Sequence, residues 1–338
     1  MSRYSGNILT DAAGVIQERR TPAGVQEERR EKAVNPRERK MNYLISIDDT
    51  DDVTKSVSTG SIAEKIGRVL TGSGGRIRDG ISRHQLLLSD EIAYTSHNSA
   101  MCVEIGIDSM SSGEILEVCE KIIKENMARA SDPGLAVCIT DRVSDPGQLI
   151  AFGFEAKKEV KHKDEAYALA ASTDGVFLKE LGGSGAGVIG ALAGIGLRLS
   201  RSDGSLRGKE GRDLAGSVVT AGEICRRFDA DMVVCGDGNV LGEDSPVRID
   251  EFIKLMYFDG HKCCIVRPGE DGIFVTIHQH QEREKFMEIT GQAVCESFLP
   301  DNDEEEYAVP QGSQSCFNCL YRRWIGGGFR CMKAGEES

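Results

Sequence analysis

The sequence predicts a mixed α/β chain of the α+β type, and three observations predict it. Between residues 41 and 140, apolar residues switch between strand and helix periodicity in the order β-α-β-β-α-β. Residues 148–280 mix short apolar strands with helical patterns around a Gly-rich turn. The last stretch, 281–338, carries three cysteines at close spacing and little apolar sequence.

Taken in order, Tyr43 to Ile47 reads as a strand. Ser58 and Thr59 are capping residues for a helix in which Ile62, Ile66, Val69 and Leu70 recur at helical spacing. Gln85 to Leu88 and Ala100 to Ile107 read as strands. Ser111 or Ser112 caps a second helix striped by Ile115, Leu116, Cys119, Ile122, Ile123 and Met127, and Leu135 to Thr140 reads as a further strand. This is the order of a split βαβ, ferredoxin-like domain, in which two helices cover one face of a mainly antiparallel sheet. Asp145-Pro146-Gly147 reads as its end.

The second region is expected to hold a helix over Glu155 to Ala171, a strand at Val176 to Leu178 and a helix at Val188 to Leu199. A polar exposed loop over 200–216, a buried strand at Met232 to Cys235, a helix at Ile249 to Met256 and strands at Cys263 to Val266 and Ile273 to Ile277 follow. Residues 1–40 contain a tandem repeat, TDAAGVIQERR and TPAGVQEERR, and read as a flexible leader outside the fold, with Met41 standing directly before the first strand. The expected organisation is a leader at 1–40, a first domain at 41–147, a second at 148–280 and a linker with a cysteine-bearing tail at 281–338.

With 338 residues and 40% apolar content, the chain can bury several cores. It has no run of about 20 apolar residues and no signal-like apolar centre, so no membrane partner and a cytoplasmic location are expected. Cys102, Cys119, Cys138, Cys225 and Cys235 stand singly in apolar segments, the pattern of reduced core thiols. The net charge is −13; nine basic against six acidic residues in 1–40 leave the rest at −16. Such a body binds nucleic acid only through a local basic patch, for which Arg322, Arg323, Trp324 and Arg330 are the candidates. Composition leaves the oligomeric state open, a homo-oligomer included.

The chemistry concentrates where the first strand ends. Asp48, Asp49, Asp51 and Asp52 crowd into the turn before a capped helix, with Thr50 among them. Crowded carboxylates repel unless a cation neutralises them, and magnesium bridging to phosphates is the hard cation suited to such a cluster. A solvated turn with one Asp capping the helix is the plainer alternative. Gly185-Ala186-Gly187-Val188-Ile189-Gly190 fits a dinucleotide-loop pattern literally but lacks the surrounding βαβ context, so helix packing through Gly187, Gly190 and Gly194 competes with phosphate binding. Cys316, Cys319 and Cys331 have the spacing of a partial zinc chelate, whose fourth ligand would come from Cys295, His278, His280, a partner chain or water.

Ile47-Asp48-Asp49-Thr50-Asp51 resembles the signature that opens the catalytic domain of the tRNA(Ile) 2-agmatinylcytidine synthetase (TiaS) family. Tyr94 to Ala100, Asp132-Pro133-Gly134, Gly185 to Gly194 and the cysteine tail follow it in the family's order. The resemblance implies an ATP- and magnesium-dependent enzyme acting on tRNA or a nucleoside-like acceptor. By it, Asp48, Asp49 and Asp51 hold metal and phosphates; Thr50, Asp52, His97, Asn98, Gly185, Gly187 and Gly190 line the nucleotide site; and Cys316, Cys319 and Cys331 belong to a zinc ribbon. Ala186 stands where the family carries Arg, Ala334 where its last Cys would fall, and the 36 residues from His280 to Ser315 are short for its oligonucleotide-binding barrel. These replacements keep a second reading open, that of a catalytically degenerate nucleotide- or RNA-binding regulatory protein.

Overall fold

The computed structural model describes residues 41–52, 57–94, 97–236, 238–277, 297–301, 303, 318–325 and 328–332. The leader, and Cys316, Cys295, His278 and His280, lie outside the described residues.

β1 (Asn42–Asp48), α1 (Thr59–Gly72), β2 (Arg76–Gln85), β3 (Ser99–Gly106), α2 (Ser112–Asn126) and β4 (Gly134–Ile139) follow in the expected order. The strands lie β4-β1-β3-β2, each antiparallel to its neighbour, with Ile45 opposite both Val103 and Val137. Strand alternation splits β1 between two cores. Tyr43, Ile45 and Ile47 meet Ile62, Ile66 and Leu70 of α1 and Ile115, Cys119, Ile122 and Ile123 of α2. Leu44, Ser46 and Asp48 point to the opposite face.

Helix α1 starts at Ser58, whose hydroxyl accepts from the Ser61 amide, and α2 starts at a reciprocal capping box between Ser111 and Glu114. Ser111→Ala should therefore cost about 1 kcal/mol of stability, read by chemical denaturation, with the fold unchanged.

That opposite face is covered by residues beyond 147. α3 (Gly147–Glu155) and α5 (Gly187–Ser200) bury Leu149, Phe152, Val188, Ala191, Leu192 and Ile195 against Leu44, Cys102, Ala136 and Cys138. β5 (Val176–Glu180) extends the same sheet beside β4. The sheet and its packing thus continue past residue 147. Asp145-Pro146-Gly147 starts a helix there: Pro146 is the N-cap, and the Asp145 carboxylate accepts from the Gly147 amide at 2.9 Å.

Several expected elements differ. The single helix over 155–171 is two, α3 and α4 (Lys163–Ser172), separated by the charged run from Lys157 to His162. The strand expected at 85–88 lies earlier, as β2. Residues 200–216 are not an exposed loop: Asp203, Ser205 and Leu206 are buried, and β6 (Ser205–Leu206) bridges β2 to β10 (Leu255–Phe258). No helix forms over 249–256. Ile249 and Ile253 imitate helical spacing, but Ile253, Leu255 and Tyr257 alternate into a strand core shared with β7 (Val218–Thr220), α6 (Ala221–Phe228), β8 (Met232–Cys235), β9 (Pro246–Arg248), β11 (His261–Pro268) and β12 (Phe274–Thr276). Those strands continue the first sheet, which counts 12 strands among the described residues. β13 (Arg322–Ile325) and β14 (Gly328–Cys331) form a separate hairpin.

Candidate functional site

The site begins with the glycines of α5. A Cβ on Gly187 would lie 2.1 Å from the Asp132 carbonyl, on Gly190 1.7 Å from an Asp48 carboxylate oxygen, and on Gly194 2.2 Å from the Ser46 hydroxyl. The missing side chains let the helix rest directly on β1 and β4, with its first turn against the end of β1. The packing role of Gly187, Gly190 and Gly194 is thus realised, and the same contact brings the Gly-rich segment to the carboxylates.

A cleft open to solvent lies at this junction. Asp48, Asp49, Asp51, Asp52, His97, Asn98, Gly187 and Gly190 all line it, so residues from three separate motifs meet in one space. Asp48 is 8% exposed. Burial, then the charges of Asp49 and Asp51, hold its carboxyl well above the usual range. Burial, then the charges of Asp51 and Asp132, push Asp49 up to about 7, against a hydrogen bond from the Asp132 amide. Asp49 also has φ +50°, a left-handed backbone that Asp tolerates better than most residues, and this turns the chain sharply at the strand end.

The remaining members divide by role. Asp51 accepts from both the amide (3.2 Å) and hydroxyl (3.3 Å) of Thr59, in the first turn of α1, so the helix-capping alternative holds for this one residue. Asp52 accepts from the Ala130 amide at 3.3 Å. Thr50 is 0% exposed; its hydroxyl donates to that of Thr59 at 3.0 Å and it does not line the cleft. Asn98 donates to the Leu87 carbonyl at 2.7 Å, which fixes the loop before β3. Gly185 lies outside the lining: its φ is +84°, and its amide is engaged by Asp132 at 2.6 Å.

Asp132 is the organiser that motif reading passed over. Its backbone meets Asp49, and its carboxylate takes the amide of Gly185 and the hydroxyl of Ser184, tying the Gly-rich turn to the carboxylate turn. Asp301 and Asp303, from the C-terminal segment, and Lys161 and Glu159, between α3 and α4, also line the cleft. Lys161 is held by Glu155 at 2.8 Å and Glu159 at 2.7 Å.

The chain is similar in part to solved structures of TiaS. To apo TiaS, a tRNA agmatidine synthetase, it is 23% identical over 46% of its own length and 35% of that chain, with a TM-score of 0.39. To TiaS in complex with tRNA and ATP the figures are 24%, 46%, 36% and 0.40, and to TiaS in complex with tRNA, AMPCPP and agmatine 20%, 56%, 44% and 0.39. The chain therefore spans less than half the length of these structures, and a likeness at this level carries no chemistry over by itself. No protein-family model and no curated protein matches the chain.

As the sequence indicates, the Gly-rich loop is not set in a parallel βαβ unit: β5 runs antiparallel to β4, and the strand after α5, β6, pairs with β2 at the far side of the first sheet. One expectation needs correction: Arg322 is not part of a surface patch. It is 1% exposed and donates to Asp301 at 3.0 Å, an anchor for the hairpin. Arg323 lies over the Tyr94 ring at 4.1 Å and donates to the Ile92 carbonyl, while the side chains of Trp324 and Arg330 are outside the described part.

Among the described residues, no group of three or more His, Cys, Asp or Glu side chains is placed to hold a metal ion. Cys319 is buried and Cys331 half-buried, both as free thiols. No helix among the described residues is long and apolar enough to cross a membrane.

Proposed function

We propose that this chain is an ATP- and magnesium-dependent enzyme of the TiaS-like class, acting on tRNA or a nucleoside-like acceptor. One observation carries the reading: Asp48, buried, and Asp49, half-buried, lie next to each other and line one open cleft, with Asp48 under the first turn of α5. Two neighbouring carboxylates in a poorly solvated turn repel each other, and a shared cation offsets that repulsion.

Asp48 and Asp49 are the residues that would hold the metal, with Asp51 kept in place by α1. A bound magnesium supplies neutralisation of the phosphate charge that develops during phosphoryl or nucleotidyl transfer. The chain's own contribution is positional. Asp132 fixes Asp49 and the Gly-rich turn together, Asn98 fixes the loop before β3, and the apolar side chains of Leu86, Ile92, Met101, Ile189 and Leu320 shape the cleft for a flat base. The resemblance of Ile47 to Asp51 to the TiaS signature supports ATP as the nucleotide and tRNA as the acceptor. The cysteine tail supports zinc only as a structural ion, through Cys316, Cys319 and Cys331.

Purified protein with ATP and magnesium should release phosphate or pyrophosphate, and Asp49→Ala should lower that rate by at least about a hundredfold. Equal release by both proteins contradicts the proposal. Nucleotide binding with no release in either supports the degenerate regulatory protein, a reading favoured by Ala186 in place of an Arg and Ala334 in place of a fourth Cys.

A further inference from the structure

Against the first turns of α1, Arg207, directly after β6, and Asp303 of the C-terminal segment form a buried ion pair, of which Asp303 lines the same cleft. The Arg207 guanidinium grips Asp303 with both terminal nitrogens, Nη1 to Oδ2 at 3.0 Å and Nη2 to Oδ1 at 3.2 Å. The Ser58 hydroxyl donates to the same Oδ2 at 2.5 Å. The Arg207 and Asp303 side chains are 8% and 4% exposed. Asp303 lines the cleft together with Ser58, Thr59, Asp48 at the end of β1 and the carboxylates that follow it.

The cationic half of this pair is built without Asp303. Glu64 takes the Arg207 Nε at 2.9 Å. Gly60 leaves room for the guanidinium against the first turn of α1, since a Cβ there would sit 2.0 Å from Nη1. The planar fork is therefore aimed by Glu64 and Gly60, and a fork with a hydroxyl beside it matches two oxygens of a phosphate as well as it matches a carboxylate. Asp303, for its part, arrives from 245 residues beyond Ser58 and adds negative charge to a cleft already lined by Asp48, Asp49, Asp51 and Asp52.

We infer that Arg207 and Ser58 form an anion subsite for one phosphate group of the ligand, and that the Asp303 carboxylate fills it in this structure as an internal surrogate. Phosphate entering the cleft displaces Asp303 and loosens the C-terminal segment, coupling occupancy of the site to the docking of the hairpin. The inference deepens the nucleotide reading by naming a phosphate contact away from the metal carboxylates, and its test is run without magnesium so that the two can fail separately.

The probe is inorganic pyrophosphate, titrated calorimetrically. A tethered competitor lowers apparent affinity by the fraction of time it occupies the site. Asp303→Asn, which keeps shape and removes charge, should therefore bind pyrophosphate at least about tenfold more tightly than the unaltered chain, and adding Ser58→Ala should reverse part of that gain. Equal affinity for the unaltered chain and Asp303→Asn overturns the inference. On the unaltered chain, pyrophosphate should speed amide exchange at Asp301 and Asp303, whose amides bond to Asn318 and Asp301. Unchanged or slowed exchange means that Asp303 is a fixed anchor and overturns it too. Both responses should persist in Asp49→Asn.

Discussion

Gly190→Ala is expected to abolish magnesium–nucleotide binding and to destabilise the fold together. The added methyl would sit 1.7 Å from the Asp48 carboxylate, on a helix that cannot withdraw because Gly187 and Gly194 rest on β4 and β1. Forcing one carbon into such a contact costs about 1–3 kcal/mol, and displacing a buried ligand by about 1 Å costs on the order of a hundredfold in binding or rate. Adding Asp48→Ala should restore much of the stability and none of the binding, because the clash and the ligand are the same group. Gly196→Ala provides the contrast. Its methyl would lie 1.8 Å from the Leu149 carbonyl, between α5 and α3, so it should destabilise by a similar amount while nucleotide affinity in the folded protein stays unchanged. Thermal melts with and without magnesium and ATP read both effects.

The second large effect is a pH dependence of opposite sign to that of an ordinary surface carboxylate. Asp49 is raised from 3.8 to about 7, chiefly by burial and then by the charges of Asp51 and Asp132. The folded state therefore holds a proton that the unfolded state has lost, and its stability is fully present below about pH 4 and falls as pH rises toward 7. Asp48 is raised in the same direction, so it adds to the fall. Metal-free Asp49→Asn should consequently melt at least about 3 °C above the unaltered chain at pH 8, with the gap closing as pH falls to about 3.5. Saturating magnesium and nucleotide should erase or reverse the gap at pH 8. A melting temperature unaffected by Asp49→Asn at every pH would mean that the carboxylate is solvated.

Much of the first domain is legible in sequence because its signals are local. The Ile62-Ile66-Leu70 stripe, the Ser58 and Ser111 caps and the alternation of Tyr43, Ile45 and Ile47 each reflect one element burying one face, and the structure has each of them. The packing of α5 onto β1 and β4 is not legible in that way. Glycines that permit a close approach and glycines that bind phosphate have the same spacing, and only the position of Asp48 shows that here Gly190 serves the close approach, beside the carboxylates. In the second half, strands of two to four residues are too short for periodicity, and Ile249 and Ile253 fall at a helical interval by coincidence of a bend.

The site is readable only where its residues are contiguous. Asp48 to Asp52 announce themselves as a run, whereas Asp301 and Asp303 reach the cleft through long-range ion pairs with Arg322 and Arg207 that leave no local pattern. Arg322 resembles part of a basic surface because its neighbours are basic; its burial follows from a carboxylate 21 residues away. Asp132 sits in a turn-like Asp-Pro-Gly step, whose ordinary explanation conceals its hold on both the Gly-rich turn and Asp49.

Neutralisation of Asp48 and Asp49 by a cation shared with a nucleotide is tested most directly by counting protons. Binding of magnesium with a non-hydrolysable ATP analogue, measured calorimetrically at about pH 6.5 in buffers of different ionisation enthalpy, should release protons from the chain, and the release should shrink in Asp49→Asn along with the affinity. Binding that releases no protons and is indifferent to Asp49→Asn would contradict it.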